Sequence, residues 1–188
     1  MHFLLVNDDG IGSVGIMALM EAALKRGHRV SMCAPSGQMS AASHRITLSD
    51  PLYVKDYPLN RENAEGFAIT GTPADCVRLA FLGGLVADPV DGVISGINNG
   101  YNAGLATYYS GTVGAAREGA LLGHPAIAAS IDYKADPAHV QDAAELVLAV
   151  AEKYCQAPQD GFRVLKYRAS QFRVGSVSAR TASTELKH

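Results

Sequence analysis

The segment Val6 to Gly15 sets two adjacent carboxylates, Asp8 and Asp9, between an apolar strand and the glycine-rich approach to a helix. His2 to Val6 reads as a short buried strand. Ile16 to Leu24 carries apolar residues at helical spacing before Lys25, Arg26 and Gly27 close the pattern. A chain that opens strand–loop–helix is committed to layering helices on a sheet. In such sheets ligands gather outside the carboxyl ends of the strands, and the following helix N-terminus favours anions. Asp8 and Asp9 fall in that crevice.

The alternation continues. Strands are expected at Arg29–Ala34, Phe67–Thr70, Val90–Ser95 and Pro125–Ser130, and extended chain over His44–Val54. The polar excursion Lys55–Gly66 makes a hairpin of the returning strand. One helix starts with Thr72 as N-cap, Pro73 at its first position and Asp75 in its first turn, and runs to Leu85. Others run from Ser110-Gly111-Thr112-Val113 to Leu122 and from Pro137 to Tyr154. Gly96 to Gly104 reads as a long Asn/Gly loop. Alternating strands and helices predict an α/β fold with a mostly parallel sheet covered on both faces. From Gln156 onward, Phe162–Tyr167 and Phe172–Val177 are strand candidates interrupted by Arg and Ser. That tail reads as an arm for another subunit or a poorly ordered terminus.

With 188 residues and 48% of them hydrophobic, the chain suits one substantial core. A net charge of -2 provides no basic field for a nucleic-acid polymer. Cys33, Cys76 and Cys155 are odd in number and far apart, as expected of reduced thiols in a cytosolic protein. No basic leader and no apolar run of about 20 residues is present, which argues against secretion and membrane spanning.

Two carboxylates beside an anion-attracting helix end make physical sense if a cation bridges them. Carboxylate and amide oxygens suit Mg²⁺ or Mn²⁺, whereas zinc calls for clustered His and Cys. The plainer alternative is that Asp9-Gly10 is a turn and Asp9 caps the helix. Gly10-Ile-Gly12-Ser-Val-Gly15 also matches the dinucleotide fingerprint, and so an oxidoreductase. However, the second strand ends in Pro35-Ser36-Gly37 without the required acid, and the aspartates would repel a pyrophosphate. Loops carrying Asp8-Asp9, Ser40 and Asn98-Asn99 are expected to converge at the sheet edge. Ser110-Gly111-Thr112 adds the amides and hydroxyls of a helix start, a donor set that holds phosphate oxygens. Together they point to phosphoryl chemistry. Separately each has a plainer reading: Asn98 a turn, Ser110 an N-cap, Ser40 solvated surface, His124 a loop residue. His44 reads as a proton donor near the site or a packed strand residue. Tyr101, Tyr108 and Tyr109 would stack on a base or pack on their own protein.

Asn7-Asp8-Asp9-Gly10, Ala34-Pro35 with Ser40 and Ser43-His44, Gly71 to Val77, Ser95-Gly96-Ile97-Asn98 and Ser110 to Ala120 resemble, in order, the survival protein SurE family. The resemblance runs from Met1 to about Ser130 and more weakly to Tyr154. It implies a Rossmann-like three-layer sandwich and a divalent-metal-dependent phosphomonoesterase. Its substrates would be nucleoside 5′- and 3′-monophosphates and, in some members, short polyphosphate. Carried onto this sequence, one cation per subunit, Mg²⁺ or Mn²⁺, falls on Asp8, Asp9, Ser40 and Asn98, with Asp8 and Asp9 catalytic. The family's phosphate-contacting segment falls on Ser110, Gly111 and Thr112; Asn98 is expected to contact phosphate as well, with His44 and Asn99 as candidate accessory residues. The family further implies a homodimer or homotetramer; the cysteine usage places it in the cytoplasm, and the chain divides into residues 1–155 as catalytic domain and 156–188 as a divergent tail, a candidate oligomerisation arm. Asn99 stands where the family usually has Arg, and Ser36 replaces its usual Asp. The loop Gly104–Tyr109 lacks the family's acidic residues, and its longer C-terminal region is not recognisable after Gly161. These departures raise a second reading, a nucleotide-binding module of the same fold with little or no turnover.

Overall fold

The computed structural model describes residues 1–133, 135–157 and 164–169. The chain runs β1 (His2–Val6), α1 (Val14–Lys25), β2 (Arg29–Pro35), β3 (Val54–Asp56), β4 (Ala64–Ile69) and α2 (Pro73–Phe81). It continues β5 (Gly92–Asn99), α3 (Ala106–Tyr109), α4 (Gly111–Leu121), β6 (Ala126–Ile131), α5 (Pro137–Gln156) and β7 (Val164–Ala169). The sheet order is β3-β4-β2-β1-β5-β6-β7, and every pairing except β3 with β4 is parallel.

Successive strand residues point to opposite faces, and the core divides accordingly. Phe3, Leu5 and Ile94 pack with Ile16 and Leu19 of α1 and Leu148 of α5. Leu4, Val6 and Val93 pack with Val77 of α2 and Ala115 and Ala116 of α4. Both faces being covered explains why β1 and β6, apolar apart from His2 and Ser130, show no alternation and are buried throughout. The result is a three-layer α/β sandwich. From β1 the chain winds outward through β2 and then returns to place β5 on the other side of β1. The order therefore reverses at β1/β5, and ligand crevices form outside the carboxyl ends of strands at such points. Asp8 follows β1 there, and Asn98 and Asn99 are the last two residues of β5.

The α2 start forms as its sequence requires. Thr72 Oγ1 accepts from Asp75 N at 3.2 Å, and Asp75 Oδ2 accepts from Thr72 N at 2.9 Å, closing a capping box. The helix stops at Phe81 rather than Leu85 because Gly83 and Gly84 follow, the latter at φ +69°. The largest departure is β5. It continues through Gly96-Ile97-Asn98-Asn99, expected as loop, because β6 keeps pairing with it: Asn98 aligns with Ser130 and Asn99 with Ile131 after a register shift. His44–Val54, expected as extended chain, forms no strand before Val54. Only Val54 belongs to a strand, and Leu48 is 85% exposed, so the spacing of its apolar residues did not report burial. The returning strand begins earlier than expected, at Ala64, where β2 pairs with it. A short α3 occupies part of the expected loop before Ser110. The first strand candidate of the tail appears as β7, beside β6; Phe172–Val177 lies outside the described residues.

Candidate active site

Between β1 and α1 the chain is held by Asn7, whose side chain is fully buried. Its Nδ2 donates to Gly10 O at 2.9 Å and Ser13 Oγ at 2.7 Å, and its Oδ1 accepts from Gly10 N at 3.2 Å. Gly10 adopts φ +100°, open to glycine at little cost. This turn fixes where Asp8 and Asp9 point. It also settles the helix start: α1 begins at Val14 with Ser13 as N-cap, so Asp9 is not its cap.

Asp8 is 6% exposed and seated on the start of α4. Its Oδ1 accepts from Thr112 Oγ1 at 2.6 Å, and the Gly111 and Thr112 amides also hydrogen-bond the carboxylate. Gly111 permits this approach, since a Cβ there would lie 3.0 Å from Asp8 Cβ and 3.2 Å from Asp8 Oδ2. Burial pushes the Asp8 carboxyl above its ordinary pKa, and the hydrogen bonds from Thr112 and Gly111 only partly offset this. Asp9 is half-buried, and its Oδ2 accepts from Asn99 N at 3.4 Å. Its pKa is also raised, first by burial and then by the charge of Asp8. Among the described residues no Lys, Arg or His forms an ion pair with either aspartate; the basic partners go to Glu145, Glu152, Glu65, Asp88, Glu21, Glu118 and Asp136.

Ser40 is brought alongside by the backbone: Met39 N donates to Asp8 O at 2.7 Å, and the exposed Ser40 follows directly. Ala41 and Ser43 both sit at φ 56°, left-handed backbone that costs a non-glycine residue about 1–3 kcal/mol and persists only where surroundings enforce it. Asn98 is half-buried at the end of β5, and its Nδ2 donates to Gly100 O at 2.7 Å. That commits the amide nitrogen, and the ligating atom of an asparagine is its Oδ1. Asn99 is exposed beside Asp9. Ser110 is an N-cap, its Oγ accepting from Val113 N at 3.1 Å.

This set fits a hard cation. Asp, Asp, Asn and Ser supply oxygen donors. Two crowded carboxylates with raised pKa values and no basic partner among the described residues are the arrangement that a divalent ion stabilises.

His44 is neither a strand residue nor directed at the aspartates: its Nε2 lies 2.7 Å from Glu118 Oε2. His124 is a loop residue stacked on Phe81, centroids 4.0 Å apart, and burial lowers its pKa. Tyr108 and Tyr109 are 69% and 66% exposed, and their carbonyls accept from Ser43 Oγ and Ser43 N. Two residues with structural work at the site, Asn7 and Glu118, were given no role from sequence, and Thr112 was given one toward phosphate and not toward Asp8. Asn7 had a usable signal, since an asparagine three residues before a glycine bonds its own turn. The Thr112–Asp8 contact and the Glu118 pairing are tertiary and leave no local trace.

Residues 3–174 match the protein family described as Survival protein SurE. A "5'-nucleotidase SurE" of Desulfitobacterium hafniense (strain DSM 10664 / DCB-2) is 49% identical over 140 residues, 71% of this chain and 55% of the relative. One of Solidesulfovibrio magneticus is 50% identical over 132 residues, covering 70% and 51%. The crystal structure of the Sure protein from Aquifex aeolicus superposes with a TM-score of 0.73 at 36% identity, over 89% of this chain and 66% of that one. The chain thus spans about half the length of the curated relatives it matches.

Proposed function

Because the chain belongs to the survival protein SurE family, we propose that it is a divalent-metal-dependent phosphomonoesterase that hydrolyses nucleoside 5′- and 3′-monophosphates to nucleoside and phosphate. The observation that carries this is the Asp8–Asp9 pair. It sits at the β1/β5 switch point, has raised pKa values and no basic partner among the described residues, and rests on a helix start. Asp8, Asp9, Ser40 and Asn98 would hold Mg²⁺ or Mn²⁺, which when bound polarises a phosphoryl oxygen and acidifies water. Thr112 and the Gly111 and Thr112 amides orient the Asp8 carboxylate, which we assign to the attacking side of the reaction. The α4 start stabilises negative charge on the transferring group through its dipole. Asn99 contributes a backbone N–H to Asp9 and no charge of its own. Association into a homodimer or homotetramer through the segment after Gln156, of which β7 is part, belongs to the same proposal. Among the described residues no helix is long and apolar enough to cross a membrane, and we place the activity in the cytoplasm.

The test is phosphate release by purified, chelator-stripped protein across nucleoside 5′- and 3′-monophosphates, with Mg²⁺, Mn²⁺, Ca²⁺ or Zn²⁺ added back. Hydrolysis that depends on Mg²⁺ or Mn²⁺ is expected. Nucleotide binding without hydrolysis under every ion would replace the enzyme with a binding module. Activity undiminished by chelation would remove the metal.

A further inference from the structure

The loop that carries Ser40 is docked along one face of α4. Gly114 and Glu118 are four residues apart on that helix and share a face. A Cβ at Gly114 would stand 2.2 Å from Ser43 O, so the loop carbonyl lies directly on the helix. One turn on, Glu118 is 5% exposed, the one charged residue on the buried side of a helix that otherwise buries Gly, Ala, Val and Thr112. Its two oxygens are divided. Oε1 accepts from Arg78 Nη1 of α2 at 2.9 Å, and Oε2 pairs with His44 Nε2 at 2.7 Å. A buried ion pair contributes little stability beyond what apolar packing of the same volume would give, because desolvation offsets the attraction. What Glu118 does supply is one fixed place for His44.

The other end of the loop is held at the site itself, through Met39 N to Asp8 O at 2.7 Å. Ser40 therefore lies between two anchors, Asp8 before it and the Ser43–His44 seat on α4 after it. The left-handed residues Ala41 and Ser43 span the interval. The start of the same helix grips Asp8 through Thr112. One rigid element thus sets both the carboxylate and the loop that brings the hydroxyl to it.

We infer that His44 and Glu118 are positioning residues that set the Ser40 hydroxyl against the Asp8–Asp9 pair, an inference that rests on the metal-site reading above. His44 acts through Glu118 and Ser40 and not as a proton donor to substrate. Residues that orient ligands in this way typically change metal affinity about 10–100-fold when removed.

The experiment is Mn²⁺ titration of the stripped protein, followed by the paramagnetic resonance signal of free Mn²⁺. His44→Ala removes the loop side of the contact and leaves Arg78–Glu118 intact; it is expected to raise the Mn²⁺ dissociation constant roughly 10-fold or more. His44→Gln, which retains a donor for Glu118, is expected to recover most of that loss. Glu118→Gln is expected to weaken binding in the same direction. In a Ser40→Ala background, His44→Ala is expected to add nothing, because both changes remove the same ligand. Wild-type affinity in His44→Ala, or independent losses in the double variant, would overturn the inference while leaving the metal site standing. Wild-type protein that binds no Mn²⁺ would overturn the metal-site reading and this inference with it.

Discussion

Asp8→Asn and Asp9→Asn are each expected to lower metal-dependent phosphate release by about two to four orders of magnitude, the range for losing a catalytic or metal-binding group. Asparagine keeps the volume of each side chain, so the change removes charge and one oxygen donor while the fold persists. Asp9→Asn carries a second signature that a structural carboxylate would not give. Burial and the Asp8 charge raise the Asp9 pKa in the metal-free fold. Stability linked to this group is therefore fully present at acid pH and is lost as pH rises through the raised value. Removing the charge should make metal-free Asp9→Asn melt above wild type at neutral pH. That advantage should fade on acidification toward the ordinary carboxylate range. Activity lost with stability gained is the pattern of a group kept for function. Wild-type turnover in either variant, measured at saturating Mn²⁺, would remove that aspartate from the site.

Gly15→Ala is expected to damage the fold severely for so small a change. Gly15 lies in the first turn of α1 against β5, where a Cβ would meet Ile97 O at 2.1 Å and Ile97 C and N at 3.0 Å. The obstacle is backbone, so no rotamer change relieves it, and either α1 or the end of β5 must move. Overpacking of this kind costs about 3 kcal/mol, which for a chain of this size lowers the melting temperature by roughly 6–12 °C. The residue after Ile97 is Asn98, so displacement of β5 should also weaken Mn²⁺ binding. Gly37→Ala is the matched control: a Cβ there meets nothing within 4 Å. A Gly15→Ala protein that melts with wild type would mean that α1 and β5 do not approach as closely as described.

Much of this architecture was legible in the residues. The alternation of apolar runs and helical spacing located β1, β2, β6, α1, α4 and α5 to within a few residues. Thr72-Pro73-Ala74-Asp75 announced its own capping box because every interaction in it is local. The end of β5 was misread because Gly96-Ile97-Asn98-Asn99-Gly100 has the composition of a turn, and only its pairing with β6 keeps it extended. His44–Val54 failed the other way. Its apolar residues are spaced as in a strand, yet the segment is shaped by tertiary hydrogen bonds, with Thr72 Oγ1 donating to Arg45 O at 2.6 Å and Thr47 N donating to Asp75 Oδ1 at 2.8 Å. At the site, sequence proposed the residues and the structure supplied their partners. Thr112, placed with the phosphate-contacting residues, also holds Asp8. His44, left between proton donor and strand residue, is paired with a glutamate 74 positions away. Long-range pairing of this kind has no periodicity to betray it.

The most direct test is the stoichiometry of Mn²⁺ bound to chelator-stripped wild-type protein, compared with Asp8→Asn in the same buffer. The account predicts one ion per chain in the wild type and at least a 10-fold weaker site in the variant. Equal binding by the two proteins, or none by either, would contradict it.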